Sequence, residues 1–93
     1  MLANAVRFRQ AERVLVQDST DTLLLLALDG GMYFSLDGVG RRVWDLCDGT
    51  RSVEQLVDAI FAEFDAPREV IDADVRELIG QLVEERLLAP VDT

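Results

Sequence analysis

The sequence predicts an α+β domain in which a three-stranded antiparallel meander precedes three helices. Three observations predict it. The apolar pattern over residues 13–36 comes in short runs separated by turn clusters. From Asp37 onward the apolar spacing changes to three- and four-residue steps, the period of helices. Between the two regimes lies Gly30-Gly31-Met32-Tyr33-Phe34-Ser35-Leu36-Asp37, where a Gly-Gly turn feeds a short strand that ends at a residue suited to capping a helix.

Residues 1–11 carry Arg7 and Arg9 with little periodicity and read as an irregular arm. Residues 13–18 are an apolar run with polar ends, the first expected strand. Ser19-Thr20-Asp21-Thr22 is a turn cluster. The nearly continuous apolar run over residues 22–29 is short and bounded by turn signals, which suits a central strand buried on both faces. Residues 32–36 form the third strand. Tyr33 and Phe34 are adjacent there, so they point to opposite faces. This strand has no lysine or proline to blunt its rim.

A first helix is expected over 37–47, with Val39, Val43, Trp44, Leu46 and Cys47 on one broad face. Asp48-Gly49-Thr50 ends it, Gly49 being the left-handed residue. Ser52-Val53-Glu54-Gln55 is a capping box opening a second helix, whose stripe is Val53, Leu56, Val57, Ile60, Phe61 and Phe64. Pro67 fits the first turn of a third helix over 67–87. Ile71, Val75, Leu78 and Leu82 make one stripe there, and Ile79, Val83 and Leu87 widen it. Gly80 inside that helix costs about 1 kcal/mol against alanine, which implies a close approach to its backbone. Pro90 closes the ordered part. The 93 residues make one domain, with an ordered core over about 13–90.

Composition removes several function classes. The formal net charge is −9, the opposite of what phosphate binding needs, which argues against nucleic acids and anionic membranes as partners. No apolar stretch approaches the length of a membrane span, and the N-terminus shows no secretory signal. With one cysteine, the chain fits a bacterial-type cytoplasmic domain. There is no histidine, hence no usual general base or zinc ligand. Cys47 reads as a buried core thiol. Asp58, Glu63, Glu77, Glu84 and Glu85 read as solvated helix faces, and no glycine-rich loop carries a phosphate-binding lysine. No catalytic residue, metal site or cofactor is expected. What remains is an open strand beside a broad-faced helix, a device that takes in an extended peptide as an extra strand. Three helices on a small sheet also leave open a winged-helix transcription regulator. Arg68, Arg76 and Arg86 against Glu69, Asp72, Asp74, Glu77, Glu84 and Glu85 make a poor phosphate footprint for that reading.

The series Tyr33-Phe34-Ser35-Leu36-Asp37-Gly38-Val39-Gly40, Val43-Trp44-Asp45-Leu46 and Asp48-Gly49 resembles the Leu-Asn-x-x-Gly-x-x-Ile-Trp-x-Leu…Gly signature of PqqD-like domains. These are the precursor-peptide recognition elements of ribosomally made, modified peptides. The similarity runs on through Ser52-Val53-Glu54-Gln55-Leu56, Phe64-Asp65, Asp74-Val75, Leu78, Leu82 and Leu87-Leu88. Asp37 stands where Asn is commoner, and Glu85-Arg86-Leu87 replaces a Gly-Leu ending. The resemblance implies a winged-helix-like fold that holds a leader peptide against the third strand and third helix. Carried onto this chain, the peptide-binding residues are Met32, Tyr33, Phe34, Ser35, Leu36, Ile71, Asp74, Val75, Leu78 and Ile79. The pattern is most similar to the stand-alone recognition protein of lasso-peptide clusters. That likeness implies two partners, a leader peptidase of the cysteine-protease type and a cyclase acting afterwards. The alternative is the pyrroloquinoline-quinone type, which serves a radical-SAM enzyme.

Overall fold

The computed structural model describes residues 5–29 and 33–91. The Gly30-Gly31 turn and Met32 lie outside the described residues. Chain order is β1 (Arg7–Gln10), β2 (Val14–Asp18), β3 (Leu23–Ala27), β4 (Tyr33–Leu36), α1 (Gly38–Leu46), β5 (Asp48–Ser52), α2 (Val53–Glu63), α3 (Arg68–Glu84) and β6 (Leu88–Pro90).

The expected meander is present. β2, β3 and β4 form an antiparallel sheet in that order, with Val14 opposite Ala27 and Leu23 opposite Leu36. Its inner face supplies Leu23, Leu25, Ala27 and Leu36 to the core. The outer face differs from expectation. The register aligns Leu15, Leu26 and Tyr33 in one row and Gln17, Leu24 and Ser35 in the next. Leu15 and Tyr33 are 57% and 72% exposed, and Leu24 and Leu26 are half-buried. The leucine-rich strand β3 is therefore covered on one face only. A continuous apolar run cannot distinguish these cases, because either face tolerates leucine.

A second sheet was not expected. β1 is its central strand, flanked by β5 and β6, both antiparallel to it. The arm, the presumed turn after the first helix and the closing Pro90 thus belong to one sheet. Phe8 is the reason β1 folds inward, since it is buried while Arg7, Arg9 and Gln10 are exposed. Gln10 also donates from its Nε2 to the Trp44 carbonyl at 2.9 Å, tying this sheet to α1. Gly49 adopts φ 88, the left-handed conformation expected, but within β5.

The helices follow their sequence stripes. Val43, Trp44 and Leu46 of α1, Val53, Leu56, Val57 and Ile60 of α2, and Ile71, Val75, Ile79 and Leu82 of α3 are buried in one core with Cys47, Leu87 and Leu88. The capping box of α2 is complete: Ser52 Oγ accepts from the Gln55 amide, and Gln55 Oε1 accepts from the Ser52 amide. Asp37 occupies the N-cap of α1 in extended backbone, yet its carboxylate makes no capping bond. Phe61 leaves the expected stripe; it is exposed, with the Arg68 guanidinium 5.8 Å from its ring centre. Among the described residues nothing lies within 4 Å of a Cβ built on Gly80, so no close approach explains that glycine.

Candidate functional site

β4 is a sheet edge. Among the described residues it pairs with β3 alone, which leaves one side of its backbone open. Its four side chains alternate as a strand requires. Phe34 and Leu36 turn to the core side, Phe34 half-buried against it and Leu36 fully buried. Tyr33 and Ser35 are exposed on the outer face.

α3 meets the end of this strand through Leu78. A Cβ built on Gly40 would stand 3.4 Å from Leu36 Cδ2 and 3.5 Å from Leu78 Cδ2. The bare glycine at the start of α1 lets β4, α1 and α3 converge there. Leu78 remains half-buried and Asp74, one turn earlier, is exposed. Ile71, Val75 and Ile79 sit elsewhere: they are the core-facing stripe of α3, with Val75 at 0% exposure. Of the residues expected to contact a peptide, the structure brings Phe34, Leu36 and Leu78 to one rim. It leaves Tyr33, Ser35 and Asp74 at the surface beside it.

Residues outside the expected set line a separate cleft away from the β4 edge. Arg9, Arg13, Asp29, Val83 and Arg86 line a cleft of about 320 Å³ together with residues of β6. Arg86 holds φ 63, where α3 gives way to β6. The unread signal was pairing between distant segments, since β1 and β6 bring Arg9 to Arg86.

The shifted titrations have local causes. Burial, assisted by the Asp48 carboxylate, pushes the Cys47 thiol from 9.0 up to about 12, so it stays protonated and unreactive. Asp48 is held below the usual carboxylate range because Thr50 donates to it from its hydroxyl at 2.5 Å and its amide at 3.0 Å. Glu63 is lowered by the Arg42 guanidinium at 2.7 Å. Among the described residues no cluster of His, Cys, Asp or Glu has the arrangement to hold a metal ion. No helix among them is long and apolar enough to cross a membrane.

These features define a small α+β domain with a free strand edge beside a helix. The chain belongs to the PqqD family: the model for "Coenzyme PQQ synthesis protein D (PqqD)" matches residues 22–88. It is 38% identical over 80 residues to the PqqA binding protein of Xanthomonas oryzae pv. oryzae (strain PXO99A), covering 86% of this chain and 85% of that one. Over 55 residues it is 40% identical to the PqqA binding protein of Gluconobacter oxydans (strain 621H); this covers 59% of the chain but only 57% of that relative's length. Among solved structures it is similar to TbiB1 in complex with the TbiA(beta) leader peptide, with TM-score 0.77, 33% identity, and coverage of 91% and 99% of the two chains. It shares its fold with a lasso peptide synthetase B1 complexed with the leader peptide, with TM-score 0.76, 19% identity, and coverage of 90% and 99%.

Proposed function

We propose that this chain is a non-catalytic adaptor for a ribosomally made precursor peptide. It binds the leader segment as an added strand on β4, beside α3, and delivers it to a leader peptidase of the lasso-peptide type, with a cyclase following. The observation that carries this reading is the unpaired edge of β4 with Leu78 alongside. Main-chain hydrogen bonds to that edge, each worth about 1 kcal/mol net, supply affinity. The half-buried Phe34 and Leu78 receive alternate side chains of the guest, Tyr33, Ser35 and Asp74 border them, and the buried Leu36 backs the strand. Ile71, Val75 and Ile79 contribute by fixing α3 in place, since their side chains are already enclosed.

A second reading rests on the curated relatives, which are PqqA binding proteins. In it the same edge holds the peptide for a radical-SAM enzyme. Regulation through nucleic acid fits less well. α3 presents Arg68 and Arg76 among Glu69, Asp72, Asp74, Glu77 and Glu84, and both arginines are already paired, with Asp58 and Asp72.

The test is fluorescence anisotropy of a labelled peptide copied from the leader of the precursor encoded beside this chain's gene. Trp44 is too enclosed to report on the edge, so the label belongs on the peptide. Binding at micromolar Kd or tighter, about −8 kcal/mol, is the expected result. No saturation by about 1 mM would remove the adaptor reading. Leu78→Asp places a carboxylate on the rim and should weaken binding at least tenfold with an unchanged circular-dichroism spectrum. Val75→Asp is the contrasting control and should unfold the chain.

A further inference from the structure

The β2–β3–β4 sheet has a second open side. Among the described residues β2 pairs with β3 alone, so the backbone edge opposite β4 is unpaired as well. Its open groups follow from the ladder. Leu28 donates its amide to the Arg13 carbonyl at 3.0 Å, and Ser19 donates to the Thr22 carbonyl at 2.9 Å. Between them the register runs unbroken from the pair Val14 and Ala27 to the pair Asp18 and Leu23. In an antiparallel ladder, hydrogen-bonded pairs alternate with non-bonded ones. Arg13, Leu15, Gln17 and Ser19 therefore bond inward to β3, while Val14, Val16 and Asp18 aim their amides and carbonyls outward.

This edge is apolar on both faces. Leu15 shares the outer-face row with Leu26 and Tyr33 and is 57% exposed. Val16 belongs to the core-side row with Leu25 and Phe34, yet it is 48% exposed, so the core stops short of it. No lysine or proline interrupts residues 14–18, and an edge of this kind is a template for pairing. The flanking charges are already matched within the chain: Arg41 meets Asp18 at 2.6 Å, and Arg13 meets Asp29 at 2.8 Å. An occupant therefore needs apolar side chains and a free strand edge of its own, not charge.

We propose that the occupant is a second copy of this chain, joined β2 to β2 about a two-fold axis through Leu15. The sequence selects that axis. Antiparallel pairing centred there sets Leu15 opposite Leu15 and Val14 opposite Val16 on either side, so every apolar residue of the edge meets another. Centring on Val16 would set Val14 against Asp18 instead. The Leu15 register also matches the outward backbone groups, because each Val14–Val16 pair exchanges both of its hydrogen bonds. Leu15 then forms the closer, non-bonded pair, with Cα atoms about 4.5 Å apart. The outer row Tyr33, Leu26, Leu15 continues into the same row of the second copy, and the exposed Val16 gains Val14. Beyond the strand Glu12 comes opposite Asp18, whose carboxylate Arg41 already holds. Both β4 edges stay free at the two ends of the joined sheet. The assembly thus competes with no strand added there and does not depend on the adaptor reading.

Sedimentation equilibrium of the intact chain up to about 1 mM tests this. So small an interface belongs to the weak, transient class. The average mass should rise towards twice that of one chain, and further in about 0.5 M salt, which screens the repulsion between two chains of net charge −9. Leu15→Lys sets like charges opposite each other on the axis and should keep the mass of one chain throughout. Leu15 is exposed, so its melting temperature in dilute solution should be unchanged. Leu15→Cys reads the register. Its two copies lie within disulfide reach, and with oxidised glutathione it should cross-link about tenfold faster than Gln17→Cys, whose copies stand about 13 Å apart. Cys47 is buried and contributes to neither. A single-chain mass up to about 1 mM at both salt concentrations, an undiminished dimer in Leu15→Lys, or equal cross-linking of the two cysteine variants would overturn the proposal.

Discussion

Cys47 stands at the junction of α1 and β5, 1% exposed and part of the buried core. Its thiol is neutral throughout the physiological range because the thiolate would have to sit in apolar surroundings next to Asp48. The folded chain therefore binds this proton more tightly than the unfolded chain does. Stability from it is complete below the unfolded value of 9.0 and is lost as pH rises towards about 12. At about 1.4 kcal/mol per pH unit the loss across that window reaches roughly 4 kcal/mol. Thermal melts from pH 8 to 11 should show the wild type falling more steeply than Cys47→Ala; parallel curves would mean the thiol is not enclosed. Trp44, 3% exposed, is the largest aromatic in the same core. Trp44→Ala should cost about 3–5 kcal/mol as a large core deletion. Binding should be lost only in proportion to unfolding, which parallel denaturation and anisotropy measurements would separate.

The elements differ in how plainly their residues announce them. α2 is legible because its start is written locally: Ser52 and Gln55 exchange bonds three residues apart, and Val53, Leu56, Val57 and Ile60 follow at helical steps. Ser52→Ala should destabilise the chain by about 1 kcal/mol, read from urea midpoints. A change near zero would mean that the Gln55 side chain alone holds the turn. The β2–β3–β4 meander is legible for a similar reason, since its turns lie between apolar runs. β1 is not. Arg7-Phe8-Arg9-Gln10 offers one apolar residue to the core, and its partners are about 40 and about 80 residues away in sequence. Asp48-Gly49-Thr50 carries every mark of a turn, and Pro90 of a stop, so neither advertises a strand. The candidate site and the separate cleft divide the same way. β4 and its alternation could be read from the residues, whereas the arginine-lined cleft depends on long-range pairing. Helical spacing placed Val75 and Ile79 beside Leu78 but could not separate the core-facing side of α3 from its rim.

At the scale of the molecule, two three-stranded sheets share one helical core. The β2–β3–β4 sheet leaves one edge of β4 unpaired among the described residues; the β5–β1–β6 sheet joins the chain's first, middle and last described strands. β1 is central to that second sheet, so its removal would strip partners from β5 and β6 together and expose the cavity left by Phe8. A chain starting at residue 12 keeps the proposed peptide-binding edge and every described helix. Were residues 1–11 an irregular arm, that shortened chain would melt and bind as the full chain does. With β1 in the sheet, the shortened chain should lose several kcal/mol, on the scale of a large aromatic core deletion or more. Its leader affinity should fall with the folded fraction. Phe8→Ala offers the milder version, expected to cost about 3–5 kcal/mol while leaving the β4 edge intact. The order of loss under urea distinguishes the two sheets' roles: the melt should shift first, and leader binding measured well below the new midpoint should be unchanged. Weakened binding in a fully folded Phe8→Ala chain would instead show that the two sheets are coupled through the core, with the second sheet setting the position of α3 against β4.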